Sequence, residues 1–332
     1  MPQPTVDLAP VRRVLAWCWA RLRGPWGLWW RLVVTTVNSC LRYRVTGLAA
    51  EAAFFAVISV PPLVFASAGA IGYVAEKLPA TTIVEIEEAV VRLASRALTD
   101  GAVDKIIAPT IHEVLQGGRY DVISVGFVLA LWSGSRALNV FVDTIKIMHG
   151  LGGHRGIVAT RALSFVLYLF ALLCGAVALP LVVAGPSLVR QWLPNRFETV
   201  MHFYWPLIIV VCICFLATLY HVSVPVRTNW SFNLPGAVFS LAAWVLGSWA
   251  LRWVLTATAA DSRSIYGPLA APIAVLFWLY LLAIAVLIGA AVNAAFDEVF
   301  PQASTTRARR ELVARVRQRI GMGDSSGAPQ NS

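Results

Sequence analysis

The stretch APIAVLFWLYLLAIAVLIGAAVNAAF, residues 271–296, runs without one charged side chain, and its strongest polar group is Asn293. A helix rises 1.5 Å per residue, so about 20 apolar residues cross the hydrocarbon core of a bilayer. This run is long enough, and five others share its character. With boundaries at roughly 48–75, 122–147, 158–184, 205–224, 234–255 and 268–296, the chain is predicted to be all-α: a polytopic bundle of six transmembrane helices. Charged residues are 13% of the chain against about 25% in ordinary soluble domains, which excludes a soluble globular enzyme as the default class.

Orientation follows from where Lys and Arg fall. With the N-terminus inside, seven precede the first crossing, three lie at 146–161, one is Arg227 and six are in the tail, giving seventeen inside. The short outer loops hold three, Arg190, Arg196 and Arg263. Both termini are therefore expected in the cytoplasm. The net charge of +10 then marks an inner membrane surface rich in anionic headgroups rather than a nucleic-acid site. No secretory signal peptide is visible, so the first crossing is expected to direct insertion itself.

The domain reading has three parts. Residues 1–47 form interfacial amphipathic helices, Leu8 to Arg23 and Trp26 to Tyr43, with tryptophans beside arginines. Residues 48–300 are the membrane domain, with an extracytoplasmic insert at 76–121 that carries 8 of the 17 acids and two amphipathic helical patterns, read as a cap. Residues 301–332 hold a basic amphipathic helix, capped at Ser304–Thr306 and striped by Leu312, Val313, Val316 and Ile320, then a disordered tail after Gly321.

Polar residues at membrane depth are costly and face protein or water. In the second crossing Trp132, Arg136, Asn139, Asp143 and Lys146 recur at spacings of 4, 3, 4 and 3, which places them on one helix stripe. Two readings stand: the stripe lines a path for a solute or lipid headgroup, or it joins helices while Lys146 reaches to the inner surface. The first crossing adds Glu51 and the pair Pro61–Pro62. Glu51 is expected to pair with Arg136, and the prolines to kink or break the helix. Arg252 is expected to reach outward among tryptophans near the outer end of its helix.

Catalytic and metal chemistry find no footing. The five histidines are scattered, and the cysteines (Cys18, Cys40, Cys174, Cys212, Cys214) form no CxxC pair. No phosphate-binding glycine loop or nucleophile elbow is present, so no cofactor, no metal and no enzymatic activity are expected.

Four stretches resemble the bacterial YihY/BrkB inner-membrane family: LAAEAAFFAVISVPPL at 48–63, LWSGSRALNVFVDTIKIMHG at 131–150, VPVRTNWSFNLPGAVFSLAAW at 224–244, and the run at 265–296 that opens on Tyr-Gly and closes on Gly-Ala-x-x-Asn. The resemblance covers roughly 40–300. It implies a six-helix protein of the bacterial cytoplasmic membrane, with links in some members to serum resistance or envelope lipid export. Members often carry Glu two residues after the final Gly, where this chain has Ala291. The family's old ribonuclease label gains no support from these residues. The functional expectation is a transporter or flippase-like exporter of an amphiphilic or anionic envelope component, with Glu51, Arg136, Asn139, Asp143, Lys146 and Asn293 along its path. The alternative is a non-transporting scaffold for the envelope. Expected partners are membrane lipids and such a substrate, without nucleic acid; the sequence leaves oligomeric state open.

Overall fold

The computed structural model describes residues 25–75, 120–192, 204–226, 228–259 and 270–325. The proposed cap lies outside them, apart from the start of α3, and so does the helix expected at 8–23. The described elements are helical: α1 Pro25–Arg42, α2 Val45–Ala75, α3 Tyr120–Met148, α4 Ile157–Trp192, α5 Tyr204–Ser223, a 3-10 turn Trp230–Asn233, α6 Leu234–Ala259, α7 Ala270–Val299 and α8 Ala303–Ser325. Helices α2 to α7 each contain a stretch long and apolar enough to cross a membrane. Six such helices make this a multi-pass membrane protein.

The outward faces carry the same message. Phe127 and Val128 on α3, Phe165 and Leu173 on α4, Ile209 and Val210 on α5, and Leu246 and Trp249 on α6 are all exposed. In water this would be a prohibitive apolar surface; in lipid it is the solvated one.

Helix α7 is the hub, packed against α6, α2, α1 and α3, while α2 and α3 make the broadest pair. Lipid offers no hydrophobic drive between helices, so close backbone approach through small residues has to supply the contact. The core is built that way. Ala49, Ala52 and Ala53 of α2 and Ala283, Ala290, Ala291, Ala294 and Ala295 of α7 are buried, with Val142, Ile145, Leu287 and Tyr220 among them. At the α6–α7 crossing a Cβ on Gly289 would lie 2.6 Å from the Gly236 carbonyl oxygen and would also strike the hydroxyl of Ser240. Only two glycines allow that approach.

Hydrogen bonds fix the same crossing. The Tyr220 hydroxyl donates to the Val286 carbonyl at 2.8 Å and lies 2.6 Å from Ser240 Oγ, which donates in turn to the Ala285 carbonyl at 3.1 Å. Each opened hydroxyl would otherwise face hydrocarbon, so the three helices are tied at one point.

Several expectations are revised. The helix is not broken at Pro61 and Pro62, for α2 continues through both to Ala75. The Ser59 hydroxyl turns back to the Ala56 carbonyl at 2.7 Å within the turn before them. Helix α8 continues past Gly321 to Ser325, and it begins at Ala303, before the expected cap. Of its expected stripe, Leu312 packs on the core whereas Val313 is exposed.

The glycine crossing predicts a sharp contrast. Gly289→Ala should lower the thermal unfolding midpoint of the detergent-solubilised chain, at a cost of about 1–3 kcal/mol for overpacking. Gly175→Ala, where a Cβ meets nothing within 4 Å, should leave the midpoint unchanged.

Candidate functional site

The helix ends that meet at one end of the bundle belong to α2, α3, α4, α5, α6 and α7 at Val45, Met148, Ile157, Ser223, Leu234 and Val299. Helices α1 and α8 gather there as well. Reading upward from that end, the polar groups fall into three clusters.

The basal cluster is the most developed. Asp297, buried near the end of α7, receives Arg309 Nη2 of α8 at 2.9 Å on one oxygen and the Thr305 hydroxyl at 3.1 Å on the other. Arg309 Nε donates to the His149 carbonyl at the end of α3, 2.7 Å away. Gly150, with φ +70°, lets the chain turn off α3 beside that arginine, and a Cβ there would lie 3.3 Å from Nε. Asn293 closes the cluster above: its Oδ1 accepts from the Gly236 backbone at 2.8 Å and its Nδ2 donates to the Asn233 carbonyl at 3.2 Å. It satisfies the start of α6, where helix donors lack partners. Asn293 therefore holds α7 to α6 instead of standing open to a path.

The second cluster is the α3–α4 seam. Lys146 Nζ lies 2.7 Å from Asp143 and donates to Thr160 Oγ1 at 3.4 Å. Its side chain is 7% exposed, so it turns into the bundle rather than reaching out to the surface. Asp143 is 46% exposed. One heptad earlier, the Ser164 hydroxyl donates to Asn139 Oδ1 at 3.4 Å.

The third cluster is Arg136. It sits near the middle of α3, Tyr120–Met148. The guanidinium carbon lies 4.8 Å from the centre of the Phe55 ring on α2, and Nε is buried with no hydrogen-bond partner. Glu51, one turn along α2 from Phe55, is exposed and forms no ion pair among the described residues. The expected Glu51–Arg136 pair is absent; a phenyl face stands where a carboxylate was anticipated.

The stripe thus does not share one surface. Trp132 is 59% exposed and faces outward, Arg136 meets α2, and Asn139 and Lys146 meet α4. A 4-3-4-3 pattern averages 3.5 residues, and on a straight helix it drifts about 20° per seven residues. Over two such steps the stripe turns from one neighbour to the next.

Outside the spanning segments, His149 carries the one polar ring at the basal end with a shifted titration. Burial pushes its imidazole below the ordinary range and Arg309 adds to that; the bond to the Ile145 carbonyl and the charge of Asp297 act the other way. Among the described residues no group of three His, Cys, Asp or Glu is placed to hold a metal ion.

The family profile described as "Virulence factor BrkB" matches residues 36–312. The chain belongs to the BrkB family. The matched region runs from α1 into α8 and includes every polar cluster described above. In a comparison with curated proteins, the BrkB-family chain is 24% identical over 197 residues to "Putative ribonuclease-like protein YfkH" of Bacillus subtilis (strain 168), covering 57% of this chain and 70% of that protein. No solved structure matches. Position 291, where family resemblance directs attention to a Glu, is an alanine with no exposure in the α7 core, so a role for that carboxylate has no counterpart here.

The basal cluster was not found by sequence reading. Asp297 fell one residue beyond the expected span, and its partner is twelve residues on, across a turn at Pro301, a separation no helical period reveals. Removing Arg309 strands a buried carboxylate, so Arg309→Ala should lower stability by about 3 kcal/mol. Combining it with Asp297→Asn should cost less than the two single changes summed, measured as a double-mutant cycle on unfolding in detergent.

Proposed function

We propose that the chain is a cytoplasmic-membrane transporter of flippase type, which binds an anionic amphiphile through Arg136. The single observation behind this reading is a guanidinium near the middle of α3 whose Nε is buried and unpartnered and whose carbon lies 4.8 Å from the centre of the Phe55 ring. Arginine cannot shed its proton, so it remains a cation in hydrocarbon at a cost of roughly 3 kcal/mol even on insertion scales. The Phe55 face offsets part of that. A phosphate or carboxylate headgroup supplies what the protein does not, since the guanidinium fork fits both anions through paired hydrogen bonds. No catalytic step is invoked, and nucleic acid is not a partner in this reading.

Orientation enters the proposal through charge. Arg42, Arg44, Arg155, Arg307 and Arg310 gather at the basal end with α8, and such an excess supports assigning that end to the cytoplasmic side. Anionic headgroups of the inner leaflet are then the lipids beside it.

A second reading, a non-transporting scaffold, draws on a different observation. Asn139, Lys146 and Asn293 are each committed to a bond with a neighbouring helix. The two readings separate in proteoliposomes loaded with a fluorescent anionic phospholipid or its zwitterionic counterpart. Transport predicts faster exchange of the anionic probe, a drop of about tenfold in Arg136→Gln from loss of a charge-assisted bond, and partial retention in Arg136→Lys. Equal rates for wild type and Arg136→Gln would favour the scaffold.

A further inference from the structure

The 3-10 turn, α7, the segment after α5, the turn after α3 and the turn before α8 border a small cavity at the basal end, lined by His149, Thr228, Asn233, Asn293, Asp297 and Gln302 among others. Its volume is ≈ 10 Å³, the space of about one water. Asn233 is 4% exposed, and its Nδ2 is buried without a partner, a donor at the border of a polar cavity. His149 supplies the matching acceptor. Its Nδ1 lies 2.9 Å from the Ile145 carbonyl, a group that only accepts, so the ring proton sits on Nδ1 and the lone pair is on Nε2.

The charges around this imidazole are few and can be named. Asp297 comes from α7 and Arg309 from α8, already joined to each other. On α3 itself Lys146 is one turn away with its charge held by Asp143. From α5, His221 stands behind Thr228, with Nδ1 3.4 Å from the threonine hydroxyl. The loop after α3 adds His154, whose Nδ1 is buried and unpartnered, and Arg155, which donates to the Val222 carbonyl at 3.5 Å. With Arg309 docked, Asp297 has one cation and is balanced.

We infer that His149 is a proton-binding site that controls the docking of α8: a proton taken up at Nε2 through the cavity competes with Arg309 for Asp297 and frees α8 from the bundle. The transfer is a proton moving from water to the imidazole lone pair, with no other bond made or broken. The ring then becomes a cation beside the sole buried carboxylate of the cluster, and two cations share one anion. Arg309, whose side chain is 33% exposed, is the partner with a route to water. Because Thr305 and Arg309 tie the start of α8 to Asp297 and the His149 carbonyl, loss of the ion pair loosens its first turns.

The direction with pH follows from linkage. In the docked state burial holds His149 below its ordinary range, whereas released it returns to about 6.5. Docking is therefore fully favoured above about pH 6.5 and is lost as pH falls through the docked-state value. This inference is independent of any anion at Arg136.

Hydrogen–deuterium exchange on the full chain in lipid nanodiscs tests it, at about pH 7.5 and about pH 5, with labelling times corrected for intrinsic exchange. The 303–314 segment should lose protection at the lower pH, while 283–295 stays protected. His149→Gln should keep 303–314 protected at both values. Arg309→Gln should leave it unprotected at both, with 283–295 still protected. Wild-type protection that is equal at the two pH values overturns the inference without any variant. So does a His149→Gln chain that opens at low pH like wild type.

Discussion

Helix α7 can sit at the centre of the bundle because Gly236 and Gly289 let its backbone touch that of α6. In a bilayer the surrounding chains are as apolar as leucine, so contact between helices must come from closeness and from hydrogen bonds. The crossing supplies both. Two absent side chains bring the carbonyls near, and Tyr220 and Ser240 then find the Val286 and Ala285 carbonyls within reach. Once α7 is fixed there, its alanine face receives α2, and α3 follows as the broad partner of α2.

The same solvent explains why the polar groups are arranged in shared clusters. A spanning segment cannot leave a donor facing lipid without loss of several kcal/mol, roughly, for each unsatisfied group. Asn139, Lys146, Ser164 and Asn293 accordingly reach across to a neighbour or its backbone. Arg136, near the middle of α3, departs from this rule at its Nε. Residues that break a general rule in one place are where function is sought first.

Much of the fold was legible because the lipid requirement is written in run length. Six apolar runs and a basic amphipathic segment at either end of the described chain could be read directly, and α1 and α8 stand where tryptophan, arginine and leucine patterns placed helices. Direction was less legible. Spacing put Trp132 through Lys146 on one stripe, but only the neighbours decide which helix each residue meets, and the stripe drifts between two of them. The Glu51–Arg136 pair failed for a related reason: opposite charges on adjacent helices need not align, and the residue at the right height was Phe55. The proline pair likewise read as a kink or a break, and a long helix held on its alanine face by α7 continues through two lost donors without a break. Asp297 escaped notice because Arg309 returns to it around a turn, and turns carry no period.

That turn has an implication for how the polypeptide is made. Asp297 emerges from the ribosome twelve positions ahead of Arg309. Until the arginine folds back onto it, the carboxylate has no counter-charge and water is its best surrounding. The end of α7 is therefore completed by the segment that follows it, α8, rather than by the crossings made before it.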